Sequence, residues 1–235
     1  MRSFEKGSIK KEQPARWLRI KTARFRAVTL ICLISGGLLF SHGIYMWAKA
    51  QLAQVLIAQA WQNALQVTAF AASKPRIMLN TVKQNQNIKP WPWADTYPVA
   101  KLQFAQQSLY VLAGASGRTM AFGPGHMSAT PLPFEGGNSV ITGHRDTHFS
   151  ALQYLNNGDL IEVETQKGKG QYRVTKKFIV DQSQTQIIES QNQDQLTLIT
   201  CYPFNSILPQ PTLRFVVSAQ RVIMAKNSNV IYAAK

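Results

Sequence analysis

The sequence is poor in the residues that build disulfide and metal sites. Two cysteines among 235 residues, Cys32 and Cys201, exclude a disulfide framework. The four histidines, His42, His126, His144 and His148, form no zinc-like spacing with Cys, Asp or Glu. Eleven acidic residues are too sparse for an obvious calcium loop. A chain without metal or other cofactor is therefore expected. No segment recurs at a fixed period, which argues against a solenoid. Acidic charge is outweighed by 26 Lys and Arg, giving a formal net charge of +15. With 45% hydrophobic and 16% charged residues, the composition is that of a globular protein and not a disordered one.

The distribution of the basic charge argues against nucleic acid as the partner. Met1 to Arg26 holds nine Lys or Arg against two Glu, and the remaining excess is spread thinly. The arm has little of the aromatic interleaving that a single-strand binder needs. It runs instead into the longest apolar stretch, "AVTLICLISGGLLFSHGIYMW", Ala27 to Trp47, which contains no charged residue. At about 1.5 Å per residue this run crosses a hydrocarbon core of about 30 Å. Tyr45 and Trp47 close it, as interfacial aromatics do. It is longer than the h-region of a cleaved signal peptide and leads directly into another helical pattern. We read an uncleaved single-pass anchor in the inner (cytoplasmic) membrane. By the positive-inside bias the N-terminus is cytoplasmic and the rest lies outside. His42 falls near the outer end of the span, where it reaches the interface.

Five regions follow: a basic arm (1–26), the anchor (27–47), a juxtamembrane helix and linker or strap (48–90), a main exported domain (91–225) and a tail (226–235). "KAQLAQVLIAQAWQNALQVTAFAAS" reads as a helix whose apolar positions, Leu52, Val55, Leu56 and Trp61, fit helical spacing loosely. "KPRIMLNTVKQNQNIKPWPWADTYP" is proline-rich and aperiodic, a strap in which Trp91 and Trp93 either anchor it to the domain or form a ligand platform. From Val99 onward there are short β-branched and aromatic runs: "AKLQFA", "QSLYVLAG", "NSVITGH", "DLIEVET", "QYRVTKKFIVD", "LTLITCY" and "LRFVVSAQRVI". Gly, Pro, Asn and Asp clusters separate them, and "GKG" reads as a hairpin turn. The domain is therefore all-β, a barrel or a sandwich.

Topology places the two cysteines apart, Cys32 in the span and Cys201 in the exported domain. Cys201 is then a lone thiol in a compartment that favours disulfides, and is either a buried small hydrophobe or a reactive group. It ends the strand "LTLITC", as His144 ends "SVITGH". Strand ends hold side chains rigidly at a rim. Arg214 lies near the start of the strand "LRFVV", thirteen residues beyond Cys201. A guanidinium beside a thiol favours thiolate and stabilises a tetrahedral oxyanion. Cys201, His144 and Arg214 thus make a plausible acyl-transfer site. The competing reading is a buried cysteine, a loop histidine and a surface arginine.

"TLITC", Thr197 to Cys201, with the upstream "GH" and downstream Arg, resembles the sortases, membrane-bound cysteine transpeptidases. "FGPGHMSATPLPFEGGNSVITGHRDTHF" is similar to the stretch around the catalytic histidine of class D-like sortases, and "WPWADTYPVAKL" to the opening of proteobacterial ones of "GN" type. The likeness covers about Trp91 to Gln220. It implies a closed sortase-type β-barrel with short helices and loops. It also implies Cys201 as nucleophile, His144 as acid/base and Arg214 as the substrate-orienting, oxyanion-stabilising residue. The substrate implied is a protein bearing an LPxTG-like sorting signal, cleaved after Thr and passed to an amine acceptor of the cell envelope. Thr200 is a possible supporting hydrogen-bond donor. Asp146 either orients His144 or pairs with Arg145, and His148 is a second histidine near the first. Phe134 stands in "LPFEGG" where relatives carry Gly. A binding module without catalysis is the alternative, and it predicts a dispensable Cys201. L,D-transpeptidases also use an exported Cys and His, but their cysteine context is missing here.

Overall fold

The computed structural model describes residues 16–72, 87–189, 193–206 and 211–223, with side chains in the first of these described from 24 to 70. The arm up to residue 15, most of the proline-rich linker (73–86) and the tail lie outside the described residues. The chain divides into two compact units, Met1–Gln51 and Leu52–Lys235.

One helix, α1 (Arg16–Ala72), contains no proline and runs unbroken through the apolar stretch. In the first unit its side chains from Arg24 on are exposed. The helix is long and apolar enough to cross a membrane. In the second unit it buries Ala53, Ile57, Ala60, Trp61 and Ala64, while Leu52 and Val55 are exposed. The buried residues follow one helical face, and small alanines let the backbone approach its neighbours closely. Hydropathy alone points to the leucine and valine instead, because alanine carries a weak apolar signal. Gln54 Nε2 donates to Phe122 O at 2.7 Å, fixing this segment within its unit.

Eight strands form a closed barrel: β1 (Pro98–Phe104), β2 (Gln107–Ala113), β3 (Gly125–His126), β4 (Asn138–Thr142), β5 (Leu160–Thr165), β6 (Gly168–Asp181), β7 (Gln195–Tyr202) and β8 (Leu213–Val222). Their order around the barrel is β1-β2-β3-β4-β7-β8-β6-β5, and β5 pairs back onto β1. The β2–β3 and β4–β7 pairs are parallel and the others antiparallel. The helical pieces between strands are single turns, α2 (Gly117–Met120) and the 3-10 turns Ser150–Tyr154 and Thr185–Ile188.

Alternation along the strands sorts side chains to two faces. Leu196 and Leu198 of β7, Val217 and Ala219 of β8, Ile141, Leu102 and Phe149 fill the barrel. Val140, Ile199 and Val216 form a second apolar cluster with Phe178, Ile187 and Ile188. By strand period these three are on the opposite, outer face, beside the turn Thr185–Ile188.

One sequence expectation changes. "GKG" is not the turn: Gln166 and Lys167 turn the chain, and Gly168 and Gly170 belong to β6. Gly170 is required there by contact, since a Cβ would sit 2.9 Å from the Phe134 ring. "GPGH" supplies the two-residue strand β3, too short to register as a pattern. Phe134, the departure in "LPFEGG", packs against the barrel core. Its φ of 73° explains why glycine suits the position. Its ring stacks on Tyr172 with centroids 5.6 Å apart, and the Arg221 guanidinium lies 4.7 Å above it. These contacts offset the backbone strain. Of the two strap tryptophans, Trp91 packs edge-on against Phe122 at 5.2 Å, whereas Trp93 is 82% exposed.

Candidate active site

Cys201 is the penultimate residue of β7 and is half-buried. Leu196, Leu198 and Thr200 point inward, so Thr197, Ile199 and Cys201 share the outer face by strand period. The thiol thereby stands at the end of the apolar row made by Val140, Ile199 and Val216. Aromatic packing fixes the chain on both sides of the rim. Tyr202 stacks on Phe215 at 6.4 Å, and Phe204 meets Phe215 edge-on at 5.2 Å.

His144 lies two residues past the end of β4. The parallel β4–β7 register pairs Thr142 with Ile199, so a continued register brings His144 level with Cys201. Neighbouring strands are separated by about 4.8 Å. Two bonds extend the ladder beyond the strand: Gly143 N donates to Ile199 O at 3.1 Å, and Thr200 Oγ1 donates to Gly143 O at 2.7 Å. The glycine before the histidine has a packing reason. A Cβ on Gly143 would lie 2.9 Å from the Phe149 ring, which is buried in the barrel. Phe149 N donates back to His144 O at 3.0 Å, closing the turn that presents the exposed imidazole.

Arg214 is the direct cross-strand partner of Cys201 in the β7–β8 ladder. Opposed residues on one face have Cβ atoms about 5 Å apart. Its guanidinium donates to Gln182 Oε1 at 2.9 Å, Pro211 O at 2.6 Å and Leu213 O at 3.0 Å. Two strand registers therefore bring together the segments that carry Cys201, His144 and Arg214, while the arginine head is engaged with its own neighbours.

The supporting residues have other partners than a triad would give them. Asp146 Oδ1 accepts from Arg145 Nε at 3.1 Å. His148 is half-buried, with Nδ1 3.3 Å from Thr147 Oγ1. Burial, and then the nearby charge of His144, lower its pKa. His126, the last residue of β3, is buried, with Nε2 3.0 Å from Pro131 O, and burial lowers its pKa too. Among the described residues no group of three or more His, Cys, Asp or Glu could hold a metal ion.

Sequence reasoning gave no role to Gln182 or Asn138. Asn138 Nδ2 donates to Ile187 O and Glu189 O at 2.9 and 3.2 Å, while its Oδ1 accepts from Thr197 Oγ1 at 2.7 Å. It thus ties the Thr185–Ile188 turn to the outer sheet face. Its position at a strand start was the only available signal, and Gln182 carried none.

Comparison with known proteins agrees with this architecture. Residues 101–222 match the family model for the sortase domain. Over 168 residues the chain is 29% identical to Sortase D of Bacillus subtilis, covering 68% of this chain and 84% of that protein. It resembles the solved structure of Sortase A from Corynebacterium diphtheriae, with a TM-score of 0.52 and 24% identity over 73% of this chain and 86% of that one. It is also similar to a Clostridium perfringens Sortase D5 transpeptidase, with a TM-score of 0.52 and 20% identity over 70% and 99% of the two chains. At these identities the two structures speak for the fold.

Proposed function

The chain belongs to the sortase family of transpeptidases, and from that membership we propose a membrane-anchored cysteine transpeptidase acting on an LPxTG-like sorting signal. The observation that carries this reading is the pairing of Cys201 with Arg214 on an apolar outer face, next to the turn bearing His144. The signal's scissile carbonyl meets the thiol at the rim, where Cys201 ends the buried row of Val140, Ile199 and Val216.

In the first half-reaction the Cys201 thiolate attacks the carbonyl carbon of the signal's Thr. The new S–C bond and the oxyanion form together, and Arg214 turns from Gln182 to stabilise that charge. The C–N bond then breaks as the His144 imidazolium protonates the leaving amine. A thioacyl enzyme remains. In the second half an acceptor amine attacks it, gives a proton to His144, and expels the thiolate as the amide forms. One difficult exchange becomes two easier ones. Water in place of the amine gives hydrolysis with the same residues.

The apolar helix near the N-terminus supports a single-pass anchor. With the basic arm cytoplasmic, the barrel faces the outside of the inner membrane, where signal-bearing proteins and envelope amines meet it. The test is a ligation assay with the full chain in detergent, a panel of LPxTG-like peptides and an added amine. Amine-dependent peptide joining, lost in Cys201→Ala, is the expected result. Joining that survives in Cys201→Ala would overturn the reading.

A further inference from the structure

Arg145 directly follows His144 and is 8% exposed, the burial of a residue with a task inside the fold. Among the described residues its guanidinium reaches Asp146, Pro203 and Ser206. Nε donates to Asp146 Oδ1 at 3.1 Å, one terminal nitrogen to Pro203 O at 3.0 Å, and the other to Ser206 O at 2.6 Å. Pro203 and Ser206 belong to the turn that follows Cys201, closed by Ser206 N donating to Pro203 O at 3.3 Å.

No strand ladder performs this link, because β4 ends at Thr142 and β7 at Tyr202. The result is two cross-connections flanking the proposed pair. Before it, Thr200 Oγ1 bonds Gly143 O; after it, Arg145 bonds Pro203 O and Ser206 O. His144 lies between Gly143 and Arg145, and Cys201 between Thr200 and Pro203. We propose that Arg145 is a positioning residue that sets the spacing of His144 and Cys201 by clamping the turn after the cysteine to the turn after the histidine. Asp146 orients the Arg145 fork through Nε and so acts on the arginine, not on the imidazole. The planar five-donor fork is what the task needs, since two diverging carbonyls and a carboxylate must be met at once. A lysine at this place meets one of them well.

This inference rests on the proposed roles of Cys201 and His144. It is tested in full-length protein in detergent with Arg145→Met and Arg145→Lys, beside wild type and Cys201→Ala. Steady-state ligation is combined with hydrogen–deuterium exchange of the same samples. For Arg145→Met, kcat falls about 100-fold, the cost of a misplacement of about 1 Å, while KM stays within about three-fold. Arg145→Lys recovers part of the loss. Exchange rises together in segments 144–149 and 203–206, with the other strands unchanged. A merely structural arginine predicts loss in proportion to the unfolded fraction and a general rise in exchange. The proposal is overturned if Arg145→Met keeps kcat within about two-fold, or if exchange in 203–206 does not respond. Failure of the underlying reading has a different mark: wild type that does not ligate, or Cys201→Ala that does. The exchange measurement still decides whether Arg145 couples the two turns in that case.

Discussion

Cys201 and Arg214 face each other across the β7–β8 ladder, yet the Arg214 guanidinium donates to Gln182 and Pro211. The backbone thus sets the arginine opposite the thiol, and neighbouring acceptors set the direction of its head. In the proposed reaction a short swing of the side chain exchanges a glutamine oxygen for a substrate oxyanion without moving the strand.

For Arg214 this predicts a loss concentrated in kcat. Arg214→Ala removes the proposed oxyanion donor and lowers kcat by about 100- to 1,000-fold. Arg214→Lys recovers little of it, because a point charge does not reproduce the planar fork. Steady-state ligation kinetics check this, and a kcat/KM within about three-fold of wild type for Arg214→Lys would argue against it.

Thr200 links β7 to the residue before the histidine through a buried hydroxyl. Thr200→Val keeps the shape and leaves Gly143 O without its donor, costing about 1–3 kcal/mol. For a domain of this size that lowers Tm by about 2–10 °C. Thr200→Ser restores the bond and most of the loss. Thermal unfolding of the two variants provides the comparison; equal Tm values for Val and Ser would contradict the link.

The histidine His126 predicts a stability slope with pH. Burial depresses its folded pKa below the unfolded value of about 6.5, with the Pro131 carbonyl and Glu135 acting in the opposite direction. Below about pH 6.5 the unfolded chain therefore takes up a proton that the folded chain resists, and stability falls with pH until the folded value is passed. Above about 6.5 the contribution is complete. His148, lowered by burial and His144, adds a slope of the same sign. Urea unfolding midpoints of wild type should drop between pH 7 and 5, and His126→Gln should flatten part of that drop. Parallel slopes would refute the assignment.

Much of the fold was legible in the sequence because period-2 runs and the "TLITC" signature report on strands directly. Seven of the strands in the barrel coincide with runs visible as "AKLQFA" through "LRFVVSAQRVI". The misses have physical reasons. Two residues of β3 are too few to show a period, and Gly168 and Gly170 look like a turn although one lies under the Phe134 ring. The buried face of α1 is made largely of alanine, which hydropathy ranks below the exposed Leu52 and Val55. For the proposed site, residue type and strand position offered Cys201, His144 and Arg214 as candidates and the resemblance to sortases gave them roles, but spacing does not reveal side-chain direction. The engagement of Arg214 by Gln182, and the reach of Arg145 to Pro203 and Ser206, needed coordinates.

The central claim is that Cys201 carries the acyl group. Its direct test is the mass of the full-length protein after brief exposure to an LPxTG-like peptide that supports ligation, followed by digestion to locate the added mass. The account predicts a gain equal to the peptide acylated through Thr, placed on the segment containing Cys201, absent in Cys201→Ala and discharged by an added amine. Ligation that proceeds with no acyl group at Cys201, or an acyl group that forms equally in Cys201→Ala, would contradict it.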